Sequence, residues 1–426
     1  MNETSPSSTG TPPAAPGGDD RPGLAFVQHA PAPYRTHLQR RIVREIPELK
    51  LLSIYTHGFL VGHEWRQSLP DEINPVHFGH SNEVAEESSI KHPIREFRKG
   101  TRLVRYAREH NIQAAILYGY RRHSMRRLTA ALHRAGAACF FYADSNVRNP
   151  EPATAVHHFI KRLWLVPTLR KCTGILSMGE LGDQYFDRYG GDPSRYFRVP
   201  NEPDYDSIAN VTDEQIEAFR TRFGLRADRS YILFSGRLLE LKRVDLLIDA
   251  FARIAADRPA WDMVILGDGP MRGALEARVP PESPELRARV HWLGYLDMDL
   301  VPAAYHATDL LVLPSDQDAW GLVVNEAMAA GSPVIASDVV GAAWEMVRDQ
   351  GCGRLFAKGD LDGLVDALSE VTDPRRYEAY RAAVGPALQR WRRVADPING
   401  IRAALSFAGI IPREPRAGSG DPPPGD

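Results

Sequence analysis

The sequence predicts an α/β chain of two parallel-sheet units. Short, uninterrupted apolar runs alternate with longer amphipathic stretches, the alternation comes in two successive series, and a proline-bearing joint, Val199–Ser207 (VPNEPDYDS), separates them. Uninterrupted apolar runs mark strands covered on both faces, and the alternating helices supply the cover.

In the first series strands are expected at Leu24–Gln28, Leu51–Tyr55, Ala114–Tyr118, Cys139–Tyr142 and Gly174–Ser177. Helical periodicity fills the intervals at Tyr34–Arg44, Pro93–His110 and Arg126–Ala135. The second series places strands at Tyr231–Phe234, Met263–Leu266, Val290–Leu293, Leu310–Leu313 and Pro333–Ala336. Its helices fall at Val244–Ala256, Met271–Arg278 and Val323–Ala330. The expected organisation is a Rossmann-like domain over 22–200, a second over 201–395, and a C-terminal helix at 396–412 packing back on the first domain. Residues 1–21 and 413–426, rich in Pro, Gly and Ser, are expected to be disordered tails.

A length of 426 residues suits two or three domains, and 43% hydrophobic with 25% charged residues is ordinary for a soluble globular chain. That composition excludes a collagen-like or largely disordered protein, and no apolar run approaches a membrane span. The net charge of −2 excludes a general nucleic-acid binder, but it hides a split of +10 over residues 22–200 and −10 over 201–426. Cys139, Cys172 and Cys352 form neither a disulfide framework nor a zinc motif, which points to a reducing, cytoplasmic setting.

The second series carries the chemistry. After Ser235, Gly236 permits an unusual turn; Arg237 can fork onto phosphate oxygens, and Lys242, one of only seven lysines, adds a point charge just before a helix start. An isolated R-x4-K is otherwise a solvated surface loop. Gly267-Asp268-Gly269-Pro270, with Gly273 following, marks a tight strand-to-helix turn; its spacing departs from the dinucleotide fingerprint, leaving a nicotinamide site as an alternative. Asp318 and Glu326 lie eight apart, on a loop and a helix start, where acceptor-only carboxylates suit a hydroxyl-rich ligand. Helix capping and packing are the plainer explanations of the same spacing. Three D-x-D triplets (Asp204–Asp206, Asp297–Asp299, Asp316–Asp318) are close to the roughly two that chance supplies. No metal site and no cofactor are expected.

The run SGRLLELK, VILGDGPMRGALE, VHWLGYL and DLLVLPSDQDAWGLVVNEAMAAGSPVIAS, from about Tyr231 to Leu368, resembles the second half of glycosyltransferase family 4 enzymes. QHAPAPYR and PNEPD extend the resemblance more loosely into the first half. The resemblance implies the GT-B fold, two Rossmann-like domains facing across a cleft, and retaining transfer of a sugar from a nucleotide-diphosphate sugar. It assigns the diphosphate to Arg237 and Lys242, the ribose hydroxyls to Glu326, the donor sugar to Asp318, and the base to backbone at Gly294–Tyr295. Gly236, Gly267, Trp320, Gly321 and Leu322 complete the implied donor-binding set.

Two departures from the family stand out. Asp318 occupies the first position of the family's E-x7-E, one methylene short, about 1.3–1.5 Å of reach. Where many members carry a His after a mid-domain strand, FFYADSN offers Asp144; either Asp144 or His123, in YGYRRHS, would stand in as the catalytic partner of Asp318. A helix cap for Asp144 and an exposed loop histidine for His123 are the competing readings.

The first domain would hold the acceptor, a glycan, lipid-linked or small molecule, with Tyr34 and Arg35 facing it. Residues 91–134 carry twelve Lys/Arg against two Glu, on a helix whose apolar side is expected at Ile94, Phe97, Val104 and Ala107. A solvated face is the default there; the sharper expectation is attraction to an anionic acceptor, or peripheral contact with an inner membrane face that carries one. Trp164, Leu165 and Trp391 are expected in core or interdomain packing. Alternatives to transfer are another GT-B nucleotide-sugar enzyme such as an epimerase, or a non-catalytic sugar-nucleotide-binding protein. An oxidoreductase would leave the Asp318–Glu326 segment unexplained.

Overall fold

The structure is a computed structural model that describes residues 20–58, 69–79, 93–119, 122–149, 154–279 and 283–412. Both expected tails, apart from Asp20 and Arg21, lie outside the described residues, as do Lys91 and Arg121 of the basic region. Two compact units emerge: Met1–Tyr142 with Leu163–Ile175 and Arg402–Asp426, and Ala143–Arg162 with Leu176–Ile401.

The first sheet contains β1 (Gly23–Gln28), β2 (Lys50–Tyr55), β3 (Pro75–His77), β4 (Ile112–Tyr118), β5 (Ala138–Tyr142), β6 (Gly174–Ser177) and β7 (Tyr196–Arg198). Their order is β3-β2-β1-β4-β5-β6-β7. From β3 to β5 every neighbouring pair is parallel, with Leu24 opposite both Leu51 and Ala114. All six residues of β1 are buried, as a strand covered on both faces requires. The helices used below are α1 (Pro33–Glu45), α2 (Pro93–Glu109), α3 (His123–Arg134) and α4 (Ala155–Leu169). Arg402 reaches Glu48 at 2.9 Å within the first unit.

The second sheet contains β8 (Ser230–Ser235), β9 (Trp261–Leu266), β10 (Val290–Gly294), β11 (Leu310–Leu313), β12 (Val334–Ser337) and β13 (Gly353–Phe356), ordered β10-β9-β8-β11-β12-β13. Every neighbouring pair in it is parallel. The helix Val244–Ile254 buries Val244, Leu247, Phe251 and Ile254 along one stripe, the spacing a sheet-covering helix needs. A capping box, Thr212 with Gln215, starts the helix Asp213–Phe223, and Gly224 ends it at φ 66°.

The apolar side expected of α2 is only partly its buried face, and one packing expectation, for Trp164, fails. The face that α2 buries runs through Glu96, Lys99, Gly100, Leu103, Tyr106 and Ala107, while Ile94 and Phe97 stay 69% and 58% exposed. The helix is turned because Glu96 and Lys99 neutralise one another at 3.0 Å and can therefore go inside. Leu165 and Trp391 are buried, but Trp164 is 48% exposed. No helix among the described residues is long and apolar enough to cross a membrane.

Candidate functional site

The chain leaves β8 toward β9 and β10 on one side, then returns to β11 on the other. The β8/β11 boundary is thus a topological switch point, where the carboxyl ends of parallel strands open a crevice for a ligand. Its floor is main chain. Gly236 N–H donates to Leu266 O at 3.0 Å, Leu238 N–H to Asp268 O at 2.9 Å, and Gly267 N–H to Gly294 O at 2.8 Å. Gly236, Gly267 and Gly294 have φ of 152°, 135° and 71°. A Cβ on Gly267 would lie 1.9 Å from Gly236 O, so only glycine permits this approach.

Charged side chains converge on that floor. Lys242 Nζ meets Asp318 Oδ2 at 2.6 Å, and Arg243, at φ 51°, reaches Asp316 at 3.1 Å. Both carboxylates of the D-x-D triplet thus end on cations. Arg237, half-buried, has no side-chain hydrogen bond or ion pair among the described residues. Gly321, at φ 84°, starts the helix Leu322–Ala329, whose first turn has no capping side chain. Within it, Glu326 Oε2 accepts from the Tyr305 hydroxyl at 2.6 Å, and that hydroxyl lies 3.1 Å from Ser235 Oγ. Burial raises the Glu326 carboxyl above its ordinary range, and it raises the Tyr305 hydroxyl well above its own, helped by the carboxylate alongside.

The edge therefore brings together Gly236, Arg237, Lys242, Gly267, Gly294, Asp318, Gly321, Leu322 and Glu326. Tyr295, just past β10, is 51% exposed. Trp320 contributes its backbone only: its indole is buried and donates to Asn325 at 3.1 Å, and Asn325 donates to Tyr205 at 2.9 Å. Asp144 is on a loop, not at a helix start, since α4 begins at Ala155. It accepts from Asn201 of the PNEPD segment at 3.4 Å. From the same loop, Asn146 donates to the Asp318 carbonyl at 3.2 Å and Asn149 accepts from the Asp318 amide at 3.2 Å. His123 is exposed at the start of α3 in the first unit and bonds Arg126 at 2.7 Å.

Residues 215–384, which span this edge, match the family described as glycosyl transferases group 1. That match falls wholly within the second unit and covers less than half of the chain. Curated relatives are similar over a comparable stretch. A D-inositol 3-phosphate glycosyltransferase of Geodermatophilus obscurus is 33% identical over 224 residues, 50% of this chain and 48% of that protein. An uncharacterized glycosyltransferase of Methanocaldococcus jannaschii, MJ1607, is 36% identical over 171 residues, 40% and 43% of the two chains. The chain spans about half the length of the curated relatives it matches.

Solved structures match more of the chain. A glycosyltransferase from Rickettsia africae gives a TM-score of 0.71 at 15% identity, covering 93% of this chain and all of that one. Anabaena Alr3699/HepE, solved with UDP and glucose, gives 0.67 at 16%, covering 92% of this chain and all of that one. These likenesses establish the architecture, two parallel-sheet units of the GT-B type.

Outside the matched residues 215–384, the carboxyl edge of the first sheet holds a buried polar network that the sequence did not reveal. Fully buried His57 takes a hydrogen bond from Lys99 Nζ on Nε2 at 3.3 Å, which puts its own proton on Nδ1, 2.9 Å from Thr56 Oγ1. Ser124 donates to Glu96 at 2.6 Å, and Arg122 lies 3.9 Å from the same carboxylate. Arg35 is buried with its guanidinium 3.6 Å from the Tyr118 ring centroid and 5.2 Å from that of Tyr34. The Glu96–Lys99 spacing was the one available signal, and surrounding Arg residues made it read as solvated.

Burial, with Lys99 and Arg122 beside it, lowers His57 to about 2, and His29 is lowered to about 3 by burial and Arg122. Unfolding lets His57 take up a proton below 6.5, while the folded ring holds none until about 2. Stability is therefore intact above pH 6.5 and falls as pH drops, by about 1.4 kcal/mol from this ring at pH 5.5. Denaturation midpoints from pH 7.5 to 5 should show that slope, and His57→Gln should flatten it by one proton.

Proposed function

We propose that the chain is a retaining glycosyltransferase using a nucleotide-diphosphate sugar. The observation that carries this reading is the glycine-floored switch point, main chain too close-packed for side chains, with Arg237 and Lys242 on the loop that leaves β8 there. A diphosphate fits it: Arg237 forks onto one phosphate, Lys242 leaves Asp318 to meet the other, and the uncapped amides at Leu322 add donors. Asp318, released, orients the donor sugar, and Glu326 takes ribose hydroxyls. The names of the curated relatives and the UDP and glucose in HepE agree with this class of ligand.

In the transfer, the bond from the anomeric carbon to the diphosphate breaks while the acceptor oxygen bonds the same face of that carbon. The acceptor's proton passes to a diphosphate oxygen, so no side-chain nucleophile is required. Arg237 and Lys242 stabilise the charge developing on the leaving group. We infer that this cationic pair replaces a metal, so EDTA should leave the rate unchanged. Tyr34 and Arg35 are assigned to the acceptor side, with Asp144 or His123 near the reacting carbon. The basic first unit is assigned to the inner membrane face.

A thermal-shift screen against nucleotide-sugars tests the donor site, because a ligand at a hundred times its Kd adds about 2.7 kcal/mol of apparent stability. Glu326→Gln keeps an acceptor for the Tyr305 hydroxyl, so it should abolish the donor-induced shift and leave the unliganded midpoint in place. Donor binding without turnover on any acceptor would favour a non-catalytic sensor. Nucleotide release without acceptor would favour an epimerase.

A further inference from the structure

Residues of α2, α3 and the part of α4 from Leu163 onward, all within the first unit, line a groove of about 570 Å³. Its apolar wall is Phe97 from α2 with Leu163 and Trp164 from α4, which are 58%, 56% and 48% exposed. Its charged wall is Arg126, Arg127 and Lys171, and among the described residues no acidic side chain lines it. The two walls are joined: the Arg126 guanidinium sits 3.8 Å from the Trp164 ring centroid, and that of Arg127 sits 3.9 Å from Phe97. Each cation is thereby held level with an apolar ring.

Monomeric proteins rarely leave so many large apolar side chains in water together without a partner. Residues 1–19 and 413–426 contain no Leu, Ile, Val, Phe, Tyr or Trp. From Ala155 to Lys171 there are four basic residues and no acidic one, so the face is complementary to an anionic partner.

We propose that this face seats on an anionic lipid surface, with Phe97, Leu163 and Trp164 at the headgroup–acyl boundary and Arg126, Arg127 and Lys171 on lipid phosphates. Apolar rings flanked by cations suit that boundary, where the wedge supplies depth and the charges supply selectivity for anionic lipid. The inference gives a place to the membrane contact proposed above but does not depend on sugar transfer.

The test is co-sedimentation of the full chain with vesicles of phosphatidylglycerol and phosphatidylcholine in equal parts, against phosphatidylcholine alone. Binding to the anionic vesicles should be at least tenfold tighter and should weaken with salt. Phe97→Ser with Leu163→Ser should lower it at least tenfold, as should Arg126→Gln with Arg127→Gln, all with unchanged circular dichroism. The donor-induced thermal shift should persist in every variant, so loss of vesicle binding and failure of the transferase reading register separately. No preference for anionic vesicles, or unchanged binding by the serine pair, would overturn the proposal. So would a dimer by light scattering that the serine pair dissociates, since it would assign the face to a second copy.

Discussion

Lys242→Ala should lower kcat/KM for transfer at least a hundredfold while moving the unliganded melting temperature by no more than about 3 °C. The catalytic part of that expectation follows from charge. A cation preorganised against a developing diphosphate is worth about 2.7–4 kcal/mol in the transition state, by analogy with loss of a single oxyanion donor. The stability part follows from exposure. Lys242 and Asp318 are 20% and 14% exposed, so the pair keeps water contact, and its loss should cost about 1 kcal/mol. Lys242→Arg would not restore full activity, because a planar fork cannot occupy the position of a compact ammonium. Initial rates alongside melting curves check both halves, and full activity in the alanine variant would remove the leaving-group role.

Gly267→Ala should destabilise the second unit by about 3 kcal/mol or more, while Gly273→Ala, six residues on, should stabilise it by about 0.5–1 kcal/mol. At Gly267 the backbone is at φ 135° and a Cβ would fall 1.9 Å from the Gly236 carbonyl oxygen, main chain that cannot swing aside. Gly273 lies exposed within the helix Arg272–Arg278, with nothing within 4 Å of an added Cβ. There alanine only reduces the freedom of the unfolded chain and improves helix propensity. Urea denaturation of the two variants decides the matter, and opposite signs are the expected result.

These glycines also show what the sequence could and could not reveal. The G-x-G-x-x-x-G spacing announces a turn, but it cannot say that a Cβ added at either of the first two glycines would strike a neighbouring loop while one at the third would meet nothing. Strands such as β8 and β9 were legible because parallel sheets need long apolar runs. β3, β7 and β13 were not, being three or four residues long and partly polar. The charged pair on the switch point was readable as candidates, not as partners: Lys242 and Asp318 are 76 residues apart, and spacing says nothing about contacts of that range. At α2 hydrophobicity grouped Ile94 and Phe97 with Ala107 on one apolar side, yet only Ala107 of the three is buried. An internal ion pair set the helix's rotation instead.

The floor of the switch point is made of amide and carbonyl groups, and such groups are the same whatever residue carries them. Side chains at the rim, the half-exposed Tyr295 among them, can therefore be exchanged without altering the main-chain hydrogen bonds beneath. For anyone redesigning the pocket, this separates two tasks that are usually entangled: the scaffold is encoded by a few glycines, and recognition is written in positions that can be randomised independently.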